Sequence, residues 1–118
     1  MNNTPEDMRR LEKGIQSCRK LFIALGDETR QHLLLTMLRG ECGGSRVVDI
    51  ADKTNLSRPA VSHHMRILRE AGLVKPRREG ARVYYDLSPD ADSIGKLIDL
   101  LLDIRRVTEN APDRGGDY

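Results

Sequence analysis

Arg58, Ser62, Arg66 and Arg69 line up along one side of any helix drawn through residues 58–70, with His63 beside them. Every side chain in that row can donate a hydrogen bond. A guanidinium fork matches O6 and N7 of guanine in a major groove, a serine hydroxyl suits a base edge or a phosphate, and Arg and His⁺ pair with phosphate oxygens. On an isolated helix the same row would be a solvated charged face. The residues on either side of it decide between the two.

Val47, Val48, Ile50 and Ala51 give one apolar face to a helix of about two turns, which Lys53-Thr54-Asn55 interrupts. Asn55 tolerates the left-handed conformation that lets a chain reverse within a short turn. Leu56 can then enter the core, Ser57 can cap the next helix, and Pro59 falls in the first turn, where its missing N–H costs little. The small Ala51 suits a steep crossing of two helices. Val61, Met65 and Leu68 supply the second helix with a core face opposite the row of donors. Helix, tight turn and donor-bearing helix in that order read as a helix-turn-helix for duplex DNA.

Gly72 ends the second helix, and Leu73 and Val74 return to the core. A hairpin follows, with Val74–Arg78 and Ala81–Leu87 flanking Glu79-Gly80 and with Val83, Tyr85 and Leu87 alternating with Arg82, Tyr84 and Asp86. Glu-Gly is a weaker turn signal than Asn-Gly, which leaves room for a loop longer than two residues. Lys75, Arg77, Arg78 and Arg82 make the hairpin basic, as a wing laid on phosphates or into the minor groove should be. The residues expected to contact DNA are Ser57, Arg58, Pro59, Ala60, Ser62, His63 and Arg66 on the helix, with Arg77, Arg78 and Arg82 on the wing.

The chain has 118 residues, a single domain by length, with one Phe and no Trp, so its core must be built from Leu, Ile and Val. The net charge of +2 conceals an uneven distribution. Residues 1–57 carry nine Lys/Arg against eight Asp/Glu, residues 58–86 seven against three, and residues 87–118 four against seven. Positive charge is concentrated on the donor-bearing helix and hairpin, where counterion release would use it. No stretch reaches the roughly 18 apolar residues of a membrane span and no signal-peptide core is present, so a cytoplasmic location is expected, on the nucleoid when DNA is bound. No nucleophile–base pair, phosphate loop or metal cluster stands out, so neither an enzyme nor a cofactor is expected.

At the amino-terminal end Met8, Leu11, Ile15, Cys18, Phe22 and Leu25 recur at heptad-like spacing on one helix. Asp27 caps the next helix, whose Leu33, Leu34, Met37 and Leu38 are expected beneath the DNA reader. Ser88-Pro89 opens a last helix running to about Glu109, with Ile94, Leu97, Ile98, Leu101, Ile104 and Val107 along one face. Two long apolar stripes exceed what a small core can bury, which predicts a homodimer through the terminal helices. Its interface would hold Leu11, Ile15, Cys18, Phe22, Leu97, Leu101 and Ile104. The expected architecture is mostly α: about five helices and a two-stranded wing in one domain over residues 8–110, between flexible tails at 1–7 and 111–118.

Ala24-Leu25-Gly26-Asp27-Glu28-Thr29-Arg30, Leu56-Ser57-Arg58-Pro59-Ala60-Val61-Ser62-His63-His64-Met65, Leu68-Arg69-Glu70-Ala71-Gly72-Leu73-Val74 and Glu79-Gly80-Ala81-Arg82-Val83-Tyr84-Tyr85 closely resemble the ArsR/SmtB family of bacterial winged-helix repressors. The resemblance spans about Leu21 to Leu87. It implies a symmetric dimer on an inverted-repeat operator, blocking transcription until a ligand, metal or redox signal releases it. The family's Cys-x-Cys metal positions correspond here to Arg46 and Val48, and neither binds a thiophilic metal. Its other pattern, an Asp and His near the start of the last helix with two His farther along, falls near Asp90, Asp92, Asp103 and Arg106, on a helix without His. No metal is therefore expected at either place, and the effector is not identified. His63 and His64 are expected to contact DNA or pack locally, and His32 to lie at the surface or core edge. Sulfur-responsive relatives use a cysteine on the last helix, which this chain lacks. Cys18 lies on an apolar stripe and Cys42 in a glycine-flanked loop, so a thiol-responsive repressor using Cys42 stands as one alternative and a winged-helix protein-interaction module as another.

Overall fold

Thr4 and Asp7 start the first helix by capping each other: the Thr4 hydroxyl accepts from the Asp7 N–H at 3.1 Å, and the Asp7 carboxylate accepts from the Thr4 N–H at 2.8 Å. The helix therefore begins at Pro5, inside the segment 1–7 expected to be a tail. A computed structural model describes residues 3–40, 46–87 and 91–110. Its elements run α1 (Pro5–Ser17), α2 (Arg19–Leu25), α3 (Glu28–Leu38), α4 (Val47–Thr54), α5 (Arg58–Glu70), β1 (Val74–Glu79), β2 (Arg82–Leu87) and α6 (Ala91–Asn110). The Ser88-Pro89 cap and the 111–118 tail lie outside the described residues.

Among the described residues there are six helices rather than five because the amino-terminal stripe bends at Cys18. Helical hydrogen bonds persist on both sides, from the Cys18 N–H to the Gly14 carbonyl and from the Phe22 N–H to the Cys18 carbonyl, each 3.0 Å. The bend turns Cys18 fully into the core. Asp27 caps α3 as expected, accepting from the Arg30 N–H at 3.0 Å, and Leu33 and Met37 are buried. Leu38 departs from expectation: at the last turn of α3 it points outward and is 71% exposed.

Asn55 ends α4 with φ 58°, the left-handed geometry a short reversal requires, and it is the only non-glycine with positive φ among the described residues. Ser57 then caps α5, its hydroxyl accepting from the Ala60 N–H at 3.2 Å. At the far end Gly72, with φ 77°, closes a Schellman motif: its N–H bonds the Arg69 carbonyl at 2.9 Å, and the Leu73 N–H bonds the Leu68 carbonyl at 3.0 Å. Val61, Met65 and Leu68 lie wholly in the core with Leu33 and Ile50, so α5 is fixed at both ends and along one face.

β1 and β2 pair antiparallel from Val74–Leu87 to Glu79–Arg82, leaving a two-residue loop of Gly80 and Ala81. The loop is as short as a hairpin allows because Gly80, at φ 61°, accepts the positive φ of its first position. Arg46 adds an isolated antiparallel bridge to Tyr84, tying the start of α4 to the wing.

α6 runs back antiparallel along α1. Arg10 grips the Asp103 carboxylate with both Nε and Nη2, at 2.9 and 2.8 Å, while Asp7 accepts from Arg10 at 2.7 Å and Asn3 bonds the Val107 carbonyl at 3.0 Å. None of the helices among the described residues is long and apolar enough to cross a membrane.

Because Asn55 alone sustains the reversal, Asn55→Ala is expected to destabilise the chain by about 1 kcal/mol and Asn55→Gly to be nearly neutral. Urea unfolding measures both, and equal midpoints for the Ala and Gly variants would remove the backbone requirement.

Candidate nucleic-acid interface

Burial of Val61, Met65 and Leu68 decides where the rest of α5 points. Arg58, Ser62, His63, Arg66 and Arg69 are all exposed on the side away from that core, with Ser57 and Pro59 exposed at the amino-terminal end and Ala60 partly covered. The positive dipole end of α5 lies at Arg58, which adds to the attraction for phosphate. The helix portion of the expected contact set is thus gathered on one surface.

The wing is less uniform. Residues directly opposite in the hairpin share a face, so Lys75, Arg77, Glu79, Arg82, Tyr84 and Asp86 stand on one side and Val74, Pro76, Arg78, Val83, Tyr85 and Leu87 on the other. Val74, Tyr85 and Leu87 pack on the core, which makes theirs the inner face, and Arg78 extends beyond the core at its tip. Arg77 and Arg82 therefore point away from Arg78, and the three wing arginines do not form one patch. Arg77 is also held within the wing. Its Nε donates to Asp86 at 2.8 Å, its Nη1 pairs with Glu79, and its guanidinium lies 4.8 Å from the centroid of the Tyr84 ring. The bond to Asp86 raises the Arg77 pKa, burial opposes it, and the charges of Asp86 and Glu79 add to the rise.

The adjacent histidines part company. His63 is exposed among the donors, whereas His64 is half-buried and meets Arg30, with Arg30 Nη1 3.2 Å from His64 Nδ1. Burial pushes the His64 pKa below its ordinary value; Arg30 and His63 act in the same direction and Asp27 opposes them. Sequence patterning did not single out Arg30, although it precedes Leu33 by three residues and Met37 by seven and so shares their buried face. His32 is exposed.

Of the residues expected at a dimer interface, Ile15, Phe22, Leu101 and Ile104 are exposed apolar side chains, Leu101 by 54%. Leu11 and Leu97 are half-buried against the core. Cys18 does not belong with them, because the bend between α1 and α2 encloses it within the single chain. Helical phase puts Met8, Leu11 and Ile15 with Leu97, Leu101 and Ile104 on one flank of the α1–α6 pair. The other flank is a cavity of about 530 Å³ lined by Arg10, Lys13, Ser17, Lys96, Asp99 and Arg106 among others.

At the positions matched to metal ligands, Val48 lies on α4 and Arg46 bridges to the wing. The Asp103 carboxylate accepts from both Arg10 and Arg106, and those bonds, that of Arg10 foremost, lower its pKa. Asp90 and Cys42 lie outside the described residues. Among the described residues no three His, Cys, Asp or Glu side chains come together as a metal site.

The sequence profile described as "Bacterial regulatory protein, arsR family" matches residues 27–75, from the cap of α3 to the start of the wing. An HTH-type transcriptional regulator of Methanocaldococcus jannaschii is 38% identical over 95 residues, covering 80% of this chain and all of that protein. The transcriptional repressor SdpR of Bacillus subtilis is 35% identical over 83 residues, covering 69% of this chain and 89% of SdpR. The transcriptional activator HlyU of Vibrio cholerae is 30% identical over 101 residues, covering 86% of this chain and 89% of HlyU. A solved structure of HlyU superposes with a TM-score of 0.55, covering 79% of this chain and 96% of that one.

Proposed function

The chain belongs to the arsR family of bacterial regulatory proteins and is a winged helix-turn-helix transcriptional regulator; from that premise we propose that it acts as a homodimeric repressor on an inverted-repeat operator. One observation carries the reading: α5 buries Val61, Met65 and Leu68 completely while presenting Arg58, Ser62, His63 and Arg66 as an open row of donors. Arg58 and Ser62, nearest the amino-terminal end, are the base readers, and His63 and Arg66 take bases or adjacent phosphates. Arg78 and Arg82 hold the wing to the backbone on its two faces, and Arg77 is presented as a guanidinium already oriented by Asp86 and Tyr84. A protein-interaction module would have no use for seven cations against three anions in residues 58–86.

The second copy is supported by the apolar flank of the α1–α6 pair, where Ile15, Leu101 and Ile104 remain exposed in the single chain. A two-fold axis through that flank puts two α5 helices in successive major grooves, roughly 34 Å apart. Repression then follows from occupancy of promoter DNA. SdpR is named a repressor and HlyU an activator, so the position of the site relative to the promoter sets the direction of control.

Selection of genomic fragments by the purified protein, followed by fluorescence anisotropy on the recovered duplex, tests the reading. Arg58→Ala is expected to cost about 1–3 kcal/mol on the selected duplex and little on random DNA, whereas Arg78→Ala should weaken both and lower the salt slope by about 1. Equal losses on the two duplexes for Arg58→Ala would take it out of base readout. Leu101→Glu, at an exposed position, should leave the fold intact, shift sedimentation from dimer to monomer and abolish tight binding. A variant that still sediments as a dimer would place the interface elsewhere.

A further inference from the structure

Arg30 is the only charged side chain among the buried described residues, 8% exposed, and the DNA contacts do not use it. Each of its three guanidinium nitrogens has a partner. Nε bonds the Ala24 carbonyl at 3.1 Å and Nη2 the Ile23 carbonyl at 2.8 Å, both in the last turn of α2, where helix carbonyls lack intrahelical partners. Nη1 reaches His64 Nδ1 at 3.2 Å and lies 3.9 Å from the Asp27 carboxylate. A guanidinium has no acceptor, so the Nδ1 of His64 must carry a lone pair, and the imidazole is neutral with its proton on Nε2. One buried cation thus joins the end of α2, the cap of α3 and the middle of α5. His64 adjoins the outward His63, and the two rings lie 5.4 Å apart, edge to face.

We propose that Arg30 is a positioning residue for DNA readout, which sets the rotation of α5 about its axis through a hydrogen bond to neutral His64. This rests on the reading of α5 as the DNA-contacting helix. Apolar packing fixes which face of α5 is buried but leaves rotations of a few degrees inexpensive, whereas a directional bond to a buried guanidinium held at each of its three nitrogens does not. Protonation of His64 would put a hydrogen on Nδ1 and set two cations against each other, so the bond exists only with the neutral ring. The groups acting on that ring are Asp27 and Arg30 from α3 and His63 from its own helix. Because the folded protein holds the His64 pKa below 6.5, the link is intact above that value and is lost as the pH falls through the lower folded pKa.

The test uses the full-length protein as wild type, His64→Leu, which removes the acceptor, and His64→Gln, whose carbonyl can accept from Arg30. Imidazole ¹⁵N spectra of the free protein should show His64 with its proton on Nε2 and titrating below the ordinary imidazole value. Selectivity, the ratio of affinities for the selected and a random duplex, should fall about tenfold in His64→Leu and recover in His64→Gln, with circular dichroism confirming both folds. Acidification should reduce selectivity more in wild type than in His64→Gln. A proton on Nδ1 at neutral pH, unchanged selectivity in folded His64→Leu, or identical pH profiles for wild type and His64→Gln would overturn the proposal. If wild type itself shows no preference for the selected duplex, sequence-specific reading has failed, and the His64 tautomer still decides whether the Arg30 link exists.

Discussion

A helix that reads DNA has to be apolar on one side and polar on the other, and its rotation about its own axis decides which side chains reach a groove. In this chain the face that α5 turns inward is set by Val61, Met65 and Leu68, all fully buried against Leu33 and Ile50. Each such side chain contributes about 1.5–3 kcal/mol when fully buried. A turn of α5 by one residue, about 100°, would put Ser62, Arg66 and Arg69 in the places of Val61, Met65 and Leu68 in one direction, or swing all three apolar anchors to exposed positions in the other. The caps at Ser57 and Gly72 and the left-handed Asn55 fix where α5 begins and ends, and α4, α2 and β1 form the bed on which it lies, with Arg30 reaching it from α3.

Electrostatics builds on that rigid base. The excess of cations over residues 58–86 is largely outside the core, where it attracts a polyanion without a desolvation cost. Arg30, on α3 and outside that segment, is instead buried and directs its bonds inward. Within the wing, Asp86 and Glu79 offset part of the positive charge and in exchange hold Arg77 over Tyr84. The outer helices are joined by a different polar device, in which Asp7 and Asp103 share Arg10 and Arg106 across α1 and α6.

Much of the DNA-facing unit was legible in the sequence, because its signals are local: an Asn at a reversal, a Ser and a Pro opening a helix, a Gly closing it, and apolar spacing of four and three between Val61, Met65 and Leu68. What escaped was set by contacts distant along the chain. The bend at Cys18 leaves the heptad-like spacing unchanged, yet it converts an expected interface residue into core. Strand register separates Arg78 from Arg77 and Arg82, a consequence of alternation that net charge conceals. The Arg30–His64 bond joins residues 34 positions apart, and only the fold shows that one of two adjacent histidines faces inward.

Hydroxyl-radical footprinting on a selected genomic site tests the central claim most directly, that α5 enters the major groove twice from one symmetric dimer. Two symmetric protected patches with centres about one helical turn apart are predicted, each covering backbone on both sides of a major groove. A single patch, or uniform protection without a two-fold centre, would contradict it.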